Sequence, residues 1–266
     1  MGLAVARQLW EAGASLALVA RSQEALDRLG SDWQATGSAR LWTLAADLSD
    51  PQTPARIAGG LAAHWNSLDG LVNNAGIIGP IGPAWENDPA EWQRALQVNL
   101  LAPAALCRLL LPAMAPGGAI VNLSGGGATS PRPNFSAYAT AKAGLVRFTE
   151  NLAQEAAARR VRVNAVAPGA MNTEMLEAVL RANPEQVGRE FDRALAQKAG
   201  GGVAPERAAE LVVYLLSPAC EGVTGRLISA VWDPWRGLAG HAVELSGSDI
   251  YTLRRITPED RGKQWN

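Results

Sequence analysis

Two side chains that could do chemistry together stand four residues apart in the segment SAYATAKAG. A helix through this segment turns Tyr138 and Lys142 toward the same side. A free tyrosine has a pKa of about 10, and a nearby ammonium group lowers it by favouring the phenolate. Lysine is also compact enough to reach a ribose hydroxyl, a task that suits the wide fork of arginine less well. The pair predicts an acid–base centre; the alternative is two unrelated side chains on a helix surface.

Other polar residues lie where apolar runs end. In the stretch VNNAG, residues 73–76 lie at the end of one apolar run. In VNLSGGG, Ser124 lies at the end of another run, fourteen residues before Tyr138. Asn99 lies early in the apolar helical stretch LQVNLLAPAALCRLLLPAM, where an amide side chain needs a partner. A plain turn at 73–76 and a backbone hydrogen bond from Asn99 are the simpler explanations of these two motifs.

The elements that must position these side chains follow a regular order. Continuous apolar runs alternate with amphipathic helical stretches, which is typical of a parallel sheet covered on both faces. The sequence therefore predicts a doubly wound, three-layer α/β fold. The predicted strands are 15–20, 40–46, 68–74, 118–124, 161–168 and 225–230.

Two segments depart from this alternation. Residues 171–204 form a glycine-bounded helical insertion, which we interpret as a lid over the carboxyl ends of the strands. Residues 231–266 follow the last predicted strand and carry Trp232, Trp235 and Trp265. We expect this extension to serve packing or subunit contact, after a single catalytic domain over 1–230.

Composition excludes several classes of protein. The 266 residues are 48% hydrophobic and 18% charged with a net charge of −1, which argues against a nucleic-acid binder. No stretch is expected to be long enough to span a membrane. Cys107 and Cys220 are predicted to pack in the core, in a reducing, cytoplasmic location. With only two histidines, His64 and His241, and no ligand-spaced partners, neither a metal site nor a Ser-His-Asp triad is expected.

Taken in order, the motifs resemble the compact branch of the short-chain dehydrogenase/reductase family, over residues 2–230. The matching segments are the helix and strand in 2–21, DLSD (47–50), NNAG (73–76), QVNL (97–100), VNLS (121–124), YATAK (138–142) and APGAMNT (167–173). The resemblance implies a Rossmann-like fold, hydride transfer between a nicotinamide cofactor and a carbonyl or secondary alcohol, and a homodimer or homotetramer joined through the helices around 89–115 and 134–158.

The resemblance also implies a role for each matching residue. Tyr138 corresponds to the general acid/base, Ser124 to the hydroxyl that holds the substrate oxygen, and Lys142 to the ribose-binding cation that lowers the tyrosine pKa. Asn99 corresponds to the residue that holds a water in the proton relay. The expected cofactor-binding residues are Gly2, Arg21, Asp47, Leu48, Asn73, Asn74, Ala75, Gly76, Tyr138, Lys142, Pro168, Gly169 and Thr173, and the expected substrate pocket includes Asn134, Phe135, Met171 and Met175.

Cofactor preference is argued from charge. Family members that use NAD usually end the second strand with an acidic residue that binds both ribose hydroxyls and repels a 2′-phosphate. In this chain Ala20 stands there, followed by Arg21. We therefore predict that NADP(H) is preferred and NAD(H) is possible.

The serine motif departs from the family pattern. Family members commonly carry two adjacent serines, with the catalytic one thirteen residues before the tyrosine. Gly125 occupies that position here, and Ser124 precedes it. A one-residue insertion in the following loop would restore Ser124 to its place, and this interpretation is preferred over Ser130 or Ser136.

The opening of the chain departs further. Gly2 resembles the last glycine of a glycine-rich turn that follows the family's first strand. Without that strand, a slot in the sheet centre and weak folding or cofactor binding are expected. The alternative hypothesis is a catalytically silent protein of the same fold that serves binding or scaffolding. A nucleotide-sugar epimerase of the longer branch fits the length and NNAG poorly.

Overall fold

The computed structural model describes residues 1–34 and 39–265. Its strands are β1 (Leu16–Ala20), β2 (Leu41–Ala45), β3 (Leu68–Asn73), β4 (Met114–Leu123), β5 (Arg162–Ala167) and β6 (Leu227–Ser229). Its helices are α1 (Gly2–Glu11), α2 (Gln23–Gln34), α3 (Thr53–Ala62), α4 (Pro89–Leu96), α5 (Ala102–Leu110), α6 (Ser136–Glu155), α7 (Glu174–Arg181), α8 (Pro184–Val187), α9 (Arg189–Ala199), α10 (Pro205–Leu216) and α11 (Ala242–Ser246). The order confirms the predicted Rossmann-like α/β fold.

All strand pairing in the described residues is parallel. β3, β4, β5 and β6 form one sheet in that order, and β1 pairs with β2 in another. β4 begins at Met114 rather than at the predicted 118, because Met114 pairs with Leu68 before the register shifts to Gly70 opposite Ala119. The sequence did not predict this early pairing, because the intervening residues 115–118, APGG, are typical of a turn.

The core lies on both faces of the four-stranded sheet. Val121 and Leu123 of β4 belong to a cluster with α10, whereas Ile120 packs on the other side against Cys107 of α5 and Leu152 of α6. Successive residues of one strand are thus buried on opposite faces. This burial on both faces explains the continuous apolar runs in the sequence. Cys107 and Cys220 are both fully buried, as predicted.

The two sheets are separated between β1 and β3. No described residue pairs with the facing edges of these strands, and both edges line a large cavity. The predicted slot is therefore present in the fold. Among the described residues, α1 packs on α10 between the β1–β2 pair and the larger sheet, and α3 packs on α5.

A long apolar helical stretch crosses the molecule between β3 and β4. It consists of α4, a π-helical turn (Gln97–Leu101), α5 and a short 3₁₀ turn. By length and composition this stretch, Pro89–Ala113, could cross a membrane, so the expectation that no segment is long enough is wrong. Its buried side packs against α3 and α6, where Leu106 and Leu110 join the core.

The extension after β6 folds back on the larger sheet. Trp235 lies 5.5 Å from Tyr214 of α10 between ring centroids, and Leu245 of α11 joins the same core cluster. Arg226, just before β6, donates to the backbone oxygens of Ser248 and Ile250 at 3.0 and 2.7 Å. The extension thereby covers the outer edge of the sheet, while Trp232 and Trp265 remain exposed.

Candidate active site

One cavity of about 2010 Å³ lies at the carboxyl ends of the strands and continues between β1 and β3. It joins most of the residues that the sequence predicted for cofactor, catalysis and substrate. Those that line it are Gly2, Arg21, Asp47, Leu48, Asn73, Asn74, Ala75, Gly76, Ser124, Tyr138, Lys142, Pro168, Gly169, Met171, Thr173 and Met175. Asn99, Asn134 and Phe135 do not line it.

Tyr138 and Lys142 occupy successive turns of the N-terminal part of α6. Lys142 Nζ lies 5.8 Å from the centroid of the Tyr138 ring and donates to the backbone oxygen of Leu123 at 2.7 Å. Both side chains are buried, with 5% of Tyr138 and 3% of Lys142 exposed. Burial lowers the pKa of Lys142 to about 8, because a desolvated ammonium is disfavoured.

The electrostatics of Tyr138 differ from the sequence-based expectation. Burial raises the pKa of Tyr138, and the positive charge that opposes this rise is that of Arg132. Lys142, which was expected to lower this pKa, directs its ammonium group to Leu123 instead. In this structure Tyr138 is therefore a protonated phenol at neutral pH.

Ser124 directly follows β4 and continues its pairing, since its backbone NH donates to the Val166 oxygen at 2.8 Å. Its side chain is 4% exposed, and Oγ has no hydrogen-bond partner in the described chain. At the next residue, Gly125, a Cβ would overlap Tyr138 Oη, so the phenol occupies the space of a side chain. Position 125 therefore has no room for the serine of the family pattern.

The two other candidate serines lie in different surroundings. Ser136 accepts a hydrogen bond from Trp92 Nε1 at 3.2 Å, and it does not line the cavity. Ser130 lines the cavity but is exposed. Ser124 alone among the three combines burial, an unpartnered hydroxyl and a place in the cavity lining, which supports the choice of Ser124.

Asn99 lies at the centre of the π-helical turn between α4 and α5, not early in a regular helix. Its Nδ2 donates to the Ile77 oxygen at 2.8 Å, and its Oδ1 accepts from the Ile77 NH at 3.0 Å. A Cβ at Gly76 would lie 2.9 Å from Asn99 Oδ1 and 3.5 Å from Lys142 Nζ. Asn99 thus holds the loop after β3 against Lys142 from outside the cavity, and its water-binding role stays a prediction.

The side chain of Asn73 is buried and hydrogen-bonds within the core. Its Nδ2 donates to Asn122 Oδ1 at 2.8 Å, and Asn122 Nδ2 donates to Thr149 Oγ1 at 2.9 Å. This buried chain of amides links β3, β4 and α6 below the cavity. Asn73 also lines the cavity, and its place in the cofactor-binding wall stays a prediction, with its side-chain amide committed to Asn122.

Charged residues gather where β1 and β2 end. Asp47 accepts from the Ser49 NH at 2.9 Å, and this hydrogen bond, assisted by the charges of Arg21 and Arg94, lowers the pKa of Asp47. Arg21 immediately follows β1 and lines the same cavity. This end of the cavity therefore offers both an acceptor and cations.

Backbone geometry shapes the opposite wall. Gly169 has φ of +89° and a Cβ there would overlap Val231, so the turn after β5 requires glycine. Thr173 precedes α7, and its hydroxyl makes no capping hydrogen bond to that helix. At the start of α1, the Asn74 amide lies against Gly2, where a Cβ would be 2.6 Å from Nδ2.

Two residues expected to contact substrate lie behind the cavity wall. Phe135 is fully buried in a cluster with Tyr138 and Leu176, because the chain turns inward there before α6. Asn134 has φ of +68°, and its backbone oxygen accepts from the Gly82 NH at 2.9 Å. Both are corrected from cavity-lining residues to supports of the wall.

The sequence interpretation missed Arg132 and Glu190, which line the cavity and pair with each other. Arg132 lies in the segment SPRPNF, six residues before Tyr138, and this proximity was the one available signal. Glu190 belongs to α9, and its charge pattern is that of an ordinary solvated helix face. Among the described residues, no group of three or more His, Cys, Asp or Glu side chains could hold a metal ion.

The sequence is similar to a known protein family and to characterised enzymes. A family model described as "Enoyl-(Acyl carrier protein) reductase" matches residues 1–230. The chain is 34% identical over 232 residues to cis-4-hydroxycyclohexanecarboxylate dehydrogenase of Sinomonas cyclohexanicum, covering 86% of this chain and 90% of that protein. It is 29% identical over 230 residues to human dehydrogenase/reductase SDR family member 4, covering 86% and 81%.

Solved structures share the fold. A blue fluorescent protein from a metagenomic library, in complex with NADPH, is 26% identical with a TM-score of 0.74, over 86% of this chain and 90% of that one. An angucycline C-6 ketoreductase with bound NADP is 29% identical with a TM-score of 0.73, over 86% and 89%. With a family model over most of its length and relatives at this identity, the chain belongs to the short-chain dehydrogenase/reductase family of oxidoreductases.

Proposed function

We propose that this protein is an NADP(H)-preferring oxidoreductase that interconverts a carbonyl compound and a secondary alcohol. The observation that carries the proposal is the buried Ser124 hydroxyl, which lacks a partner and lines the same cavity as Tyr138. A buried hydroxyl without a hydrogen bond is costly, about 1–3 kcal/mol, unless a ligand satisfies it. A substrate oxygen between Ser124 and Tyr138 would supply that partner.

The cavity has the donor set that a dinucleotide requires. Asp47 and Arg21 would hold the adenine and its ribose, Lys142 the nicotinamide ribose, and Thr173 the pyrophosphate or carboxamide. The start of α1 at Gly2 adds backbone NH groups, which suit a phosphate. When bound, the nicotinamide supplies or accepts the hydride at the substrate carbon.

The chain's own residues manage the proton. As a protonated phenol, Tyr138 donates its proton to the substrate oxygen during reduction and recovers it from solvent afterwards. Ser124 donates a hydrogen bond that holds this oxygen in place. Lys142, one helical turn away, orients the ribose of the nicotinamide nucleotide.

The first experiment changes Tyr138. Tyr138→Phe is expected to lower turnover of 4-oxocyclohexanecarboxylate and cyclohexanone by about 10²–10⁴-fold, because the proton donor is lost. Tyr251→Phe in the C-terminal extension is the matched control and should keep turnover. NADPH binding by Tyr138→Phe, measured by calorimetry, should persist. A wild-type protein that binds NADPH but reduces no ketone would favour the catalytically silent alternative.

The choice of serine has its own test. Ser124→Ala should lower turnover by far more than Ser130→Ala or Ser136→Ala, because Ser124 alone is both buried and unpartnered. Steady-state kinetics of the three variants would rank them. A larger loss from Ser130→Ala or Ser136→Ala would contradict the assignment.

The preference for NADP(H) rests on charge at the end of β1. Ala20 offers no carboxylate to repel a 2′-phosphate, and Arg21 follows it at the cavity. Wild type should bind NADPH more tightly than NADH in calorimetry, and Arg21→Ala should reduce that difference. Equal dissociation constants in the wild type would contradict the preference.

We further propose that α7, α8 and α9 form the substrate lid, with Met171 and Met175 facing the substrate. The relative from Sinomonas carries a hydroxycyclohexane compound in its name, and a structural neighbour is named a ketoreductase, which supports a ketone or secondary alcohol as substrate. A second copy of the chain is the proposed partner, through the helices around 89–115 and 134–158.

A further inference from the structure

The part of the cavity lined by Tyr138, which we call its substrate end, also contains the guanidinium group of Arg132, and neighbouring side chains hold this group in place. The guanidinium carbon of Arg132 lies 4.2 Å from the ring centroid of Phe135 and 5.6 Å from that of Tyr138. Phe135 is fully buried, and the Arg132 side chain is 18% exposed. Stacking on a buried ring restricts the guanidinium and leaves its edge free for hydrogen bonds.

One part of that edge is already paired. Arg132 Nε and Nη2 each lie 3.0 Å from Glu190 Oε2 of α9. The other oxygen of Glu190, Oε1, accepts from Arg193 Nη1 at 3.2 Å. Two arginines thus share one carboxylate, and the trio keeps a net positive charge. Glu174, another carboxylate at this end of the cavity, is paired with Arg181.

The remaining part of the edge is Nη1 of Arg132. It hydrogen-bonds to no residue in the described ranges 1–34 and 39–265, and it lies 3.9 Å from the position that a Cβ would take at Gly126. The preceding residue, Gly125, is in contact with Tyr138 Oη. Arg132 Nη1, a free cationic donor, therefore lies near Gly126, and the Tyr138 phenol lies against Gly125, the residue before it.

We propose that the substrate carries an anionic group, a carboxylate, and that Arg132 Nη1 binds it while the substrate oxygen lies at Tyr138. This proposal rests on the function proposed above. Glu190 and Phe135 hold the guanidinium in place, and a charge-assisted hydrogen bond from this partly buried arginine favours an acid over its neutral analogue. Arg132 is thereby the specificity-determining residue.

The competing role for Arg132 is a purely structural one, in which its ion pair with Glu190 fastens α9 to the loop before α6. Both roles predict a loss of activity when Arg132 is replaced. They differ in selectivity, because a fastening contact affects acidic and neutral substrates alike.

The test compares kcat/KM for 4-oxocyclohexanecarboxylate with that for its methyl ester, using the holoenzyme with NADPH. Wild type should prefer the acid by about tenfold or more. Arg132→Gln should abolish this preference, because its kcat/KM for the acid falls by about tenfold more than its kcat/KM for the ester. The matched control is Arg181→Gln, which removes another ion-paired arginine outside the cavity lining and should retain the preference. Equal kcat/KM values in the wild type, or equal losses for both substrates in Arg132→Gln, would overturn the proposal.

A binding measurement separates failure of this proposal from failure of the proposed function. Calorimetry with cyclohexanecarboxylate and cyclohexanecarboxamide, with and without NADPH, requires no turnover. The carboxylate should bind wild type about tenfold more tightly than the carboxamide, and Arg132→Gln should lose the difference. If ketones are reduced but acid and amide bind equally, the anion site is wrong and the oxidoreductase stands. If carboxylate binds selectively but no ketone is reduced, the anion site stands alone.

Discussion

At the scale of single residues, the site is defined by the contact between Gly125 and the phenol of Tyr138. The family pattern places a serine at position 125, but in this chain a Cβ there would overlap Tyr138 Oη. The hydroxyl that we propose holds the substrate oxygen is instead on Ser124, one residue earlier. Glycine at 125 and serine at 124 therefore belong together as one arrangement.

This arrangement predicts that restoring the family serine is harmful. Gly125→Ser should lower both turnover and the free energy of unfolding, because Tyr138 must move to admit the new side chain. The loss of stability should be smaller when Gly125→Ser is combined with Tyr138→Phe, which removes Oη. Urea unfolding of the four proteins in this double-mutant cycle measures the coupling. Additive effects would show that the overlap is not the cause.

Lys142 gives the protein a pH dependence of stability. Burial lowers the pKa of Lys142 from its usual 10.5 to about 8, so between these values the unfolded chain binds more protons than the folded chain. The free energy of unfolding should therefore rise with pH across this window, by up to about 3 kcal/mol from this group. This gain in the free energy of unfolding is lost again as the pH falls from 10.5 toward 8.

The measurement is urea unfolding at several pH values between 8 and 10.5 for wild type and Lys142→Met. Methionine has no ionisable group, so the variant should lack this part of the rise while other ionisable groups contribute equally. Identical pH dependence in both proteins would exclude a buried Lys142 with a lowered pKa.

At the scale of elements, the irregular helix between β3 and β4 positions the cavity wall that follows β3. The Ala102 NH bonds to the Gln97 oxygen five residues back, which widens the helix around Asn99. The Asn99 side chain is fully buried and bonds to both backbone groups of Ile77. The π turn thus holds the loop after β3 near Lys142.

Replacing Asn99 should disturb stability and activity together. Asn99→Ala leaves the Ile77 NH and oxygen without their partner, which should lower the free energy of unfolding by about 1–3 kcal/mol. Because the displaced loop contains Gly76, NADPH affinity should fall as well. Asn99→Asp keeps the acceptor and loses the donor, so its effect on loop position should be smaller. Calorimetry and urea unfolding test both; unchanged NADPH affinity in Asn99→Ala would contradict a positioning role.

At the scale of the whole molecule, the division of the sheet sets the distribution of stability. β4 and β5 have partner strands on both sides, whereas in residues 1–34 and 39–265 β1 pairs with β2 alone and faces the cavity. The larger sheet is also covered by α10 and by the C-terminal extension through Trp235 and Leu245. The β1–β2 pair is therefore expected to open locally at lower free energy.

Hydrogen–deuterium exchange with mass spectrometry tests this difference. Amides of β1 and β2 should exchange faster than those of β4 and β5, because fewer long-range contacts protect them. Bound NADPH should slow exchange in β1 and β2 if it bridges the two sheets. Equal protection in all four strands without NADPH would show that the sheets open as one unit.

Much of this architecture follows from local sequence. Continuous apolar runs identified all six strands, since a strand covered on both faces has few polar positions. The spacing of Tyr138 and Lys142 brought their side chains together because both belong to one helix. Ser124 and Thr173 lie near strand ends, and parallel strands deliver such residues to one edge of a sheet.

Other features depended on how the elements pack. The pairing of Arg132 with Glu190 joins residues 58 apart, and the burial of Phe135 follows from the inward turn before α6. The amide of Asn73 turned to Asn122 rather than to the cavity. By itself the sequence determined the fold class and the placing of Tyr138 and Lys142 on one side of a helix, since both follow from periodicity. The tertiary structure alone decided which charges meet and which polar groups face the core, because such contacts join distant segments through packing.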